Sequence, residues 1–169
     1  MPRVLDRAEL PVDTVQLARF LIGKMVVRTL AESVAGGRIE TEAYGRGRRG
    51  TRPSRPTPRN RALFLERGHA YVYLAYGVSF MLNVSSETSG IGAGVLIRAI
   101  EPTLGIPIMM QNRGVERAWG PGRLCAALAI DGRLDGIDLC QVGPLWLGFD
   151  ACALGEIRRA PIPRPVLPD

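Results

Sequence analysis

The sequence predicts one α+β domain, built on a curved, mainly antiparallel β-sheet with a projecting β-hairpin and short helices around it. Three observations support this fold. The 169 residues are enough for one ordinary domain, and their composition, 46% hydrophobic and 22% charged, is that of an average globular chain. Apolar runs of strand length are separated by turn residues. Segments with helical spacing are few and short.

The first element is a helix. Asp13 or Thr14 can cap a segment whose apolar residues are spaced for one helical face, and the segment stops near Gly23. The residues of that face are Val15, Leu17, Ala18, Phe20 and Leu21. We expect this helix to pack on the core.

Two strands follow, at residues 25–30 and 38–43, and Gly36-Gly37 between them predicts a hairpin turn. Period-two alternation puts Glu40 and Glu42 on one face of the second strand. The residues alone do not decide which carboxylate has the functional role.

Two segments have no pattern of a packed element. Residues 45–61 contain seven arginines, three prolines, three glycines and no acid, which predicts a loop or arm. Residues 157–169 contain four prolines and three arginines, which predicts an extended tail.

A second hairpin is predicted over residues 70–86, where two apolar runs meet at Tyr76-Gly77. Tyr71 and Tyr73 then share one face, and Tyr76 would be an unusual exposed aromatic at the tip.

The next predicted strand, residues 94–100, contains Arg98. A buried charge at that position needs a carboxylate partner, for which Glu42 is the candidate. Helices are expected from residues 103–110 and 122–128, the second beginning after a Gly-Pro-Gly turn whose amides could hold a phosphate.

The charge balance favours a polyanionic partner, because the net charge is +6 and the pI about 9.9. Lys24 is the only lysine, so a nucleotide-composition bias that favours arginine is an equal explanation. Three cysteines without a C-x-x-C pair predict neither disulfides nor a zinc site, and hence a reduced cytoplasmic location. No apolar run reaches the roughly 18 residues of a membrane span, and no secretory leader is evident.

Four motifs, in this order, resemble the alkyladenine (3-methyladenine) DNA glycosylase family. They are Arg-Ile-Glu-Thr-Glu-Ala-Tyr at 38–44, Thr-Pro-Arg-Asn at 57–60, Tyr-Val-Tyr at 71–73 with Tyr76-Gly77, and Gly-Pro-Gly-Arg-Leu-Cys at 120–125. The resemblance extends from about Leu17 to Leu147. It implies the same fold and a base excision repair enzyme that flips damaged purines, such as 3-methyladenine, 7-methylguanine, hypoxanthine or ethenoadenine, from duplex DNA and hydrolyses the N-glycosidic bond.

The resemblance also implies roles for individual residues. Glu42 would activate the attacking water, and Arg98 would help to hold that water and the carboxylate. Tyr44 and Tyr73 would sandwich the flipped base, Asn83 would form the pocket floor, and Leu145 would pack beside it. Without the resemblance, core tyrosines are the more ordinary interpretation of Tyr44 and Tyr73.

The DNA contacts follow in the same way. Tyr76 would enter the duplex as a wedge, and Gly77 would permit close approach. Thr57, Arg59 and Arg123 would contact the backbone. The resemblance implies no metal and no cofactor, and a single lysine ahead of the first strand predicts hydrolysis without strand cleavage.

The sequence departs from the family at one place. The family's pocket histidine has no counterpart between Tyr44 and Thr57, where Thr51 lies in the equivalent stretch, and the only histidine is His69. An arginine in this stretch would repel a cationic base, so the preference could shift toward neutral lesions such as hypoxanthine.

Two other functions are considered. A noncatalytic basic DNA- or RNA-binding module would use the arginines and tyrosines without needing Glu42. An acid hydrolase acting on sugars would pair Glu40 with Glu42, which the basic charge disfavours. We expect the partner to be duplex DNA containing damaged purines, bound by a monomer that needs no protein partner.

Overall fold

In the part of the chain that the structure describes, seven strands form one sheet in which every pairing is antiparallel, in the order β1-β7-β2-β3-β6-β5-β4. The computed structural model describes residues 1–44, 55–113 and 120–150, except for the side chains of residues 42–44. The strands are β1 (Arg3–Val4), β2 (Met25–Leu30), β3 (Ser33–Tyr44), β4 (Ala70–Ala75), β5 (Ser79–Ser85), β6 (Gly94–Leu104) and β7 (Leu145–Phe149). This single curled sheet with surrounding helices confirms the predicted α+β fold class.

The described residues form three short α-helices, α1 (Thr14–Leu21), α2 (Ile106–Arg113) and α3 (Pro121–Ala127), which pack against the sheet, and α2 also packs against α3. The predicted cap of α1 is confirmed, because the Asp13 carboxylate accepts hydrogen bonds from the backbone amides of Val15 and Gln16, both at 3.0 Å. Short 3-10 turns lie at residues 7–9, 61–64 and 132–134. None of the described helices is both long and apolar enough to cross a bilayer.

The main core lies between the helices and one face of the sheet. Leu17 and Leu21 of α1 and Leu124 of α3 are fully buried there, against alternate residues of the central strands. The strand residues include Val26, Ile39, Val72, Leu82, Val84, Val95 and Ile97. A smaller cluster contains Met25, Val27 and Trp146.

The predicted turn at Gly36-Gly37 is wrong. The β2–β3 hairpin turns at residues 31–32, and both glycines lie inside β3. A Cβ at Gly36 would lie 2.4 Å from the Val26 carbonyl oxygen, and a Cβ at Gly37 would lie 2.4 Å from that of Glu101. Glycine is therefore required here by the close approach of β2 and β6.

The helix expected from Thr103 begins only at Ile106. Thr103 and Leu104 belong to the end of β6, where Leu104 pairs with Gly36. Gly105, with φ of +63°, separates the strand from α2. The helix predicted over residues 122–128 is confirmed, with a boundary one residue away at each end.

The projecting hairpin is confirmed. Ala75 pairs with Ser79, and the Val78 amide donates to the Ala75 carbonyl at 3.0 Å. Tyr76 and Gly77 both have positive φ, 52° and 68°, as a type I′ turn requires.

We expect Gly36→Ala and Gly37→Ala each to lower the free energy of unfolding by about 3 kcal/mol or more, because the added methyl group meets backbone rather than a movable side chain. Urea unfolding measures the change. Gly143→Ala is the control, since the nearest atom to its Cβ would be 3.9 Å away. Equal stability of all three variants would contradict the close strand approach.

Candidate active site

A row of paired residues crosses four strands at the predicted site. Glu42 of β3 pairs with Leu96 of β6, Leu96 pairs with Asn83 of β5, and Asn83 pairs with Tyr71 of β4. Neighbouring strands lie about 4.8 Å apart, so the Glu42 and Asn83 backbones are roughly 10 Å from each other. The register thus brings a predicted catalytic residue and a predicted pocket residue to the same level of the sheet.

Tyr71 and Tyr73 form a stacked pair on the hairpin. Their ring centroids are 5.2 Å apart and their planes are inclined by 24°. Both rings are half-buried, and burial raises the pKa of both hydroxyls above the ordinary value. Both tyrosines are therefore neutral hydrogen-bonding groups near neutral pH.

Asn83 on β5 is the cross-strand partner of Tyr71 and is only 6% exposed. Its Nδ2 atom donates to the carbonyl oxygen of Tyr71 at 3.4 Å. The buried amide is thus held against the β4 backbone.

Arg59 lies beside the same hairpin. Its Nη2 atom donates to the Leu74 carbonyl at 2.9 Å, and its positive charge opposes the effect of burial on the pKa of Tyr71 and Tyr73. Thr57 is exposed nearby, in a turn where its amide donates to Asn60 Oδ1 at 2.6 Å. Arg59 and Thr57, which are predicted to contact the DNA backbone, therefore lie close to the β4–β5 hairpin.

An open groove of about 490 Å³ runs along this side of the hairpin. Arg59, Tyr73, Tyr76, Gly77 and Phe80 contribute to its lining. Tyr76 at the tip is 100% exposed and Val78 beside it is 82% exposed, which is unusual for two large apolar residues next to each other.

Arg98 does not occupy a buried position, which corrects the sequence expectation. The β3–β6 register shifts between Glu40 and Thr41, so that Arg98 is the extra residue of a β-bulge. The bulge leaves the side chain 40% exposed, with Nε 3.8 Å from Oε1 of Glu40. The expected contact with Glu42 concerns a side chain outside the described part of the chain.

Leu145 is fully buried in the main core on β7. Its position beside the base pocket stays a prediction.

Arg123 lies exposed in the first turn of α3, close to the hairpin. Gly122 explains the location, because a Cβ there would lie 2.7 Å from Cβ of Ser79 on β5. The sequence analysis missed this contact, although the glycine after Pro121 is the signal that could have indicated it. A phosphate was expected at the N-terminus of α3. Because α3 has only seven residues, its dipole would contribute little to binding such a phosphate.

The remaining predicted positions fall outside what the structure describes. These are Thr51, the side chains of Glu42 and Tyr44, residues 45–54 of the arginine-rich loop, and the tail at 157–169.

His69 lies in a polar cluster away from the row. Its Nδ1 atom is 2.7 Å from the Glu66 carbonyl oxygen, and Arg7, which is 3.2 Å from the same nitrogen, forms a 2.6 Å ion pair with Asp138. Burial raises the pKa of Cys140 to about 11 and that of Cys125 to about 12, so neither thiol is reactive near neutral pH. Within residues 1–44, 55–113 and 120–150, no three His, Cys, Asp or Glu side chains are grouped to hold a metal ion.

Comparison of the sequence with known proteins identifies a family and individual relatives. The family described as Methylpurine-DNA glycosylase (MPG) matches residues 8–162. A Mesorhizobium japonicum protein named "Putative 3-methyladenine DNA glycosylase" is 65% identical over 90% of this chain and 76% of its own length. The human and mouse proteins named "DNA-3-methyladenine glycosylase" are 40% and 43% identical over 79% of this chain, and over 50% and 45% of their own lengths.

The fold and these matches define a DNA glycosylase, an enzyme class that hydrolyses N-glycosyl bonds. Within that class, the chain belongs to the methylpurine-DNA glycosylase family.

The placement of Arg59 predicts a change in tyrosine ionisation. We expect Arg59→Gln to raise the pKa of Tyr71 and Tyr73 further, because the variant removes a positive charge that stabilises both phenolates. Ultraviolet titration measures the shift. Arg133→Gln is the control, since Arg133 pairs with Asp131 and does not act on either tyrosine. Equal shifts of the tyrosine pKa in both variants would contradict the position of Arg59 beside the two tyrosines.

Proposed function

We propose that the protein flips alkylated or deaminated purines out of duplex DNA, into the space between the end of β3 and the tyrosine pair, and hydrolyses their N-glycosidic bond. The row that joins Glu42 to Asn83 and Tyr71 carries this proposal. The family's description as methylpurine-DNA glycosylases and the relatives named for 3-methyladenine support the substrate class.

In the reaction, Glu42 removes a proton from water while the water oxygen bonds to the anomeric carbon and the bond to the purine nitrogen breaks. The carboxylate also stabilises the positive charge that develops on the sugar. Arg98, at the bulge two residues after Leu96 on β6, helps to orient the carboxylate and the water.

The hairpin supplies recognition. Tyr44 and Tyr73 enclose the base, because electron-rich rings stack well on electron-poor alkylated purines, and the Asn83 amide at the floor disfavours the exocyclic amino group of guanine. Tyr76 fills the gap in the duplex, and the complete exposure of this side chain supports that role.

The surroundings suit duplex DNA as the partner. Thr57, Arg59 and Arg123 contact phosphates on either side of the hairpin, and the net charge of +6 adds sequence-independent affinity. The enzyme acts as a monomer in the cytoplasm, associated with the nucleoid if the cell is bacterial.

We expect Glu42→Gln to lower single-turnover excision from duplexes containing hypoxanthine or 1,N6-ethenoadenine by about 100-fold or more, because the amide cannot accept the proton from water. Duplex binding should be retained. Gel separation of the reaction products measures excision, and strands that break only after alkali treatment would show that the enzyme is monofunctional.

Glu40→Gln is the matched control, since Glu40 is 67% exposed and lies beside Arg98. Loss of activity in Glu40→Gln alone would transfer the role to that carboxylate. Wild-type binding without excision of any lesion would instead favour a noncatalytic DNA-binding module. Trapping on DNA by borohydride would contradict simple hydrolysis.

We expect the wild type to prefer neutral hypoxanthine over cationic 7-methylguanine. The positive charge of Arg59 is close enough to act on both tyrosines, so it would also repel a cationic base that stacks beside them. Two variants should each shift the ratio of excision rates toward the cationic base: Thr51→His, which places a histidine between Tyr44 and Thr57 as in the family, and Arg59→Gln. The shift should be roughly fivefold if the interaction with the base changes by about 1 kcal/mol. Single-turnover rates on both lesions give the ratio. Identical ratios in all three proteins would refute the proposal for lesion preference.

A further inference from the structure

Tyr71 has no role in the chemistry proposed above, yet it stacks on the tyrosine that does. The two rings are 5.2 Å apart in a nearly parallel arrangement, inclined by 24°. They project from the same face of β4 because they are two residues apart. The stacked rings therefore connect Tyr71, which belongs to the row with Glu42 and Asn83, to Tyr73, which is proposed to stack on the base.

The backbone around Tyr71 is held on both of its edges. Its carbonyl accepts from Asn83 Nδ2 at 3.4 Å, and the amide of the next residue, Val72, donates to Asp135 Oδ1 at 2.8 Å. Ala70 donates to the Ile137 carbonyl at 2.9 Å and accepts from the Gly136 amide at 2.8 Å. This part of β4 is thus paired with β5 on one side and fastened to the segment 135–137 on the other.

Tyr73 lies two residues nearer the exposed tip. Its neighbour Leu74 is tied by its carbonyl to Arg59, and the side chain of Leu74 is itself exposed. The tip beyond it, with Tyr76 and Val78, projects into solvent. The tyrosine pair therefore joins a half-buried ring on the hydrogen-bonded part of β4 to a ring nearer the projecting tip of the hairpin.

From this arrangement we infer that Tyr71 is a positioning residue, which fixes the ring of Tyr73 in the orientation that an extruded base requires. The inference rests on the proposed base-flipping function. It assigns a role in the proposed reaction to a residue that is distinct from those given the chemical and base-stacking roles above.

The physical reason is preorganisation. A ring that already stacks on a fixed neighbour has lost rotational freedom, so the base does not have to immobilise it. Offset stacking of two aromatic rings stabilises by an amount that corresponds to roughly two- to tenfold in an equilibrium. That factor belongs to the equilibrium between the stacked and the extruded base, and it leaves the bond-breaking step unchanged.

The test uses a duplex containing 1,N6-ethenoadenine, whose own fluorescence reports whether the base is stacked in DNA or in the protein. We expect Tyr71→Leu to lower both the fluorescence change on binding and the single-turnover excision rate by roughly two- to tenfold. Tyr71→Phe, which preserves the stack, should restore both. Affinity for undamaged duplex should be the same in all of these proteins.

Two controls separate positioning from stability. Val27→Ala removes core volume on β2, remote from the hairpin, and reports what a loss of stability alone does. In a Tyr73→Leu background, Tyr71→Leu should have no additional effect, because the ring through which it acts is gone.

The inference is overturned if Tyr71→Leu behaves as the wild type, if Val27→Ala with an equal loss of stability reproduces its effect, or if the two leucine substitutions act additively. In each of these cases the wild type still extrudes and excises the base. If the wild type neither changes the fluorescence nor excises the lesion, the proposed function fails first and the inference fails with it.

Discussion

The pairing of β3 on both of its edges is the constraint on which the rest of the structure depends. Residues 33–38 pair with β2, whereas residues 36–44 pair with β6, so the second half of the strand extends beyond β2. There α1 lies beside it, and the Thr41 hydroxyl donates to the Ala18 carbonyl at 2.8 Å. Glu42 therefore belongs to the part of β3 whose position is set by β6 alone on the sheet side.

Two irregularities make this pairing possible. Glycines at 36 and 37 allow backbones to approach where any Cβ would collide with a carbonyl oxygen. The bulge at Arg98 shifts the β3–β6 register, and a bulge generally increases the local twist of a sheet. Both features lie on β3 or on its partner β6, so both help to set the register of the row that contains Glu42.

The sequence correctly predicted the features that depend only on residues close together in the chain. The cap at Asp13 and the Tyr76-Gly77 turn are decided by neighbouring residues, and both were found in the sequence. The glycine pair was misassigned because a turn and a close approach of strands require the same residue type. The burial of Arg98 was mispredicted for a different reason, since a bulge depends on a pairing of strands more than 40 residues apart.

The distinction between the two carboxylates shows what register adds to a motif. Period-two alternation treats Glu40 and Glu42 as equivalent. The structure gives Glu40 an exposed position and a cationic neighbour in Arg98. The row position of Glu42 is different, because Glu42 pairs with Leu96, and Leu96 and the next residue of the row, Asn83, are each only 6% exposed. The strand register therefore distinguishes two positions that alternation treats alike, one beside an exposed ion pair and one in line with Asn83 and Tyr71.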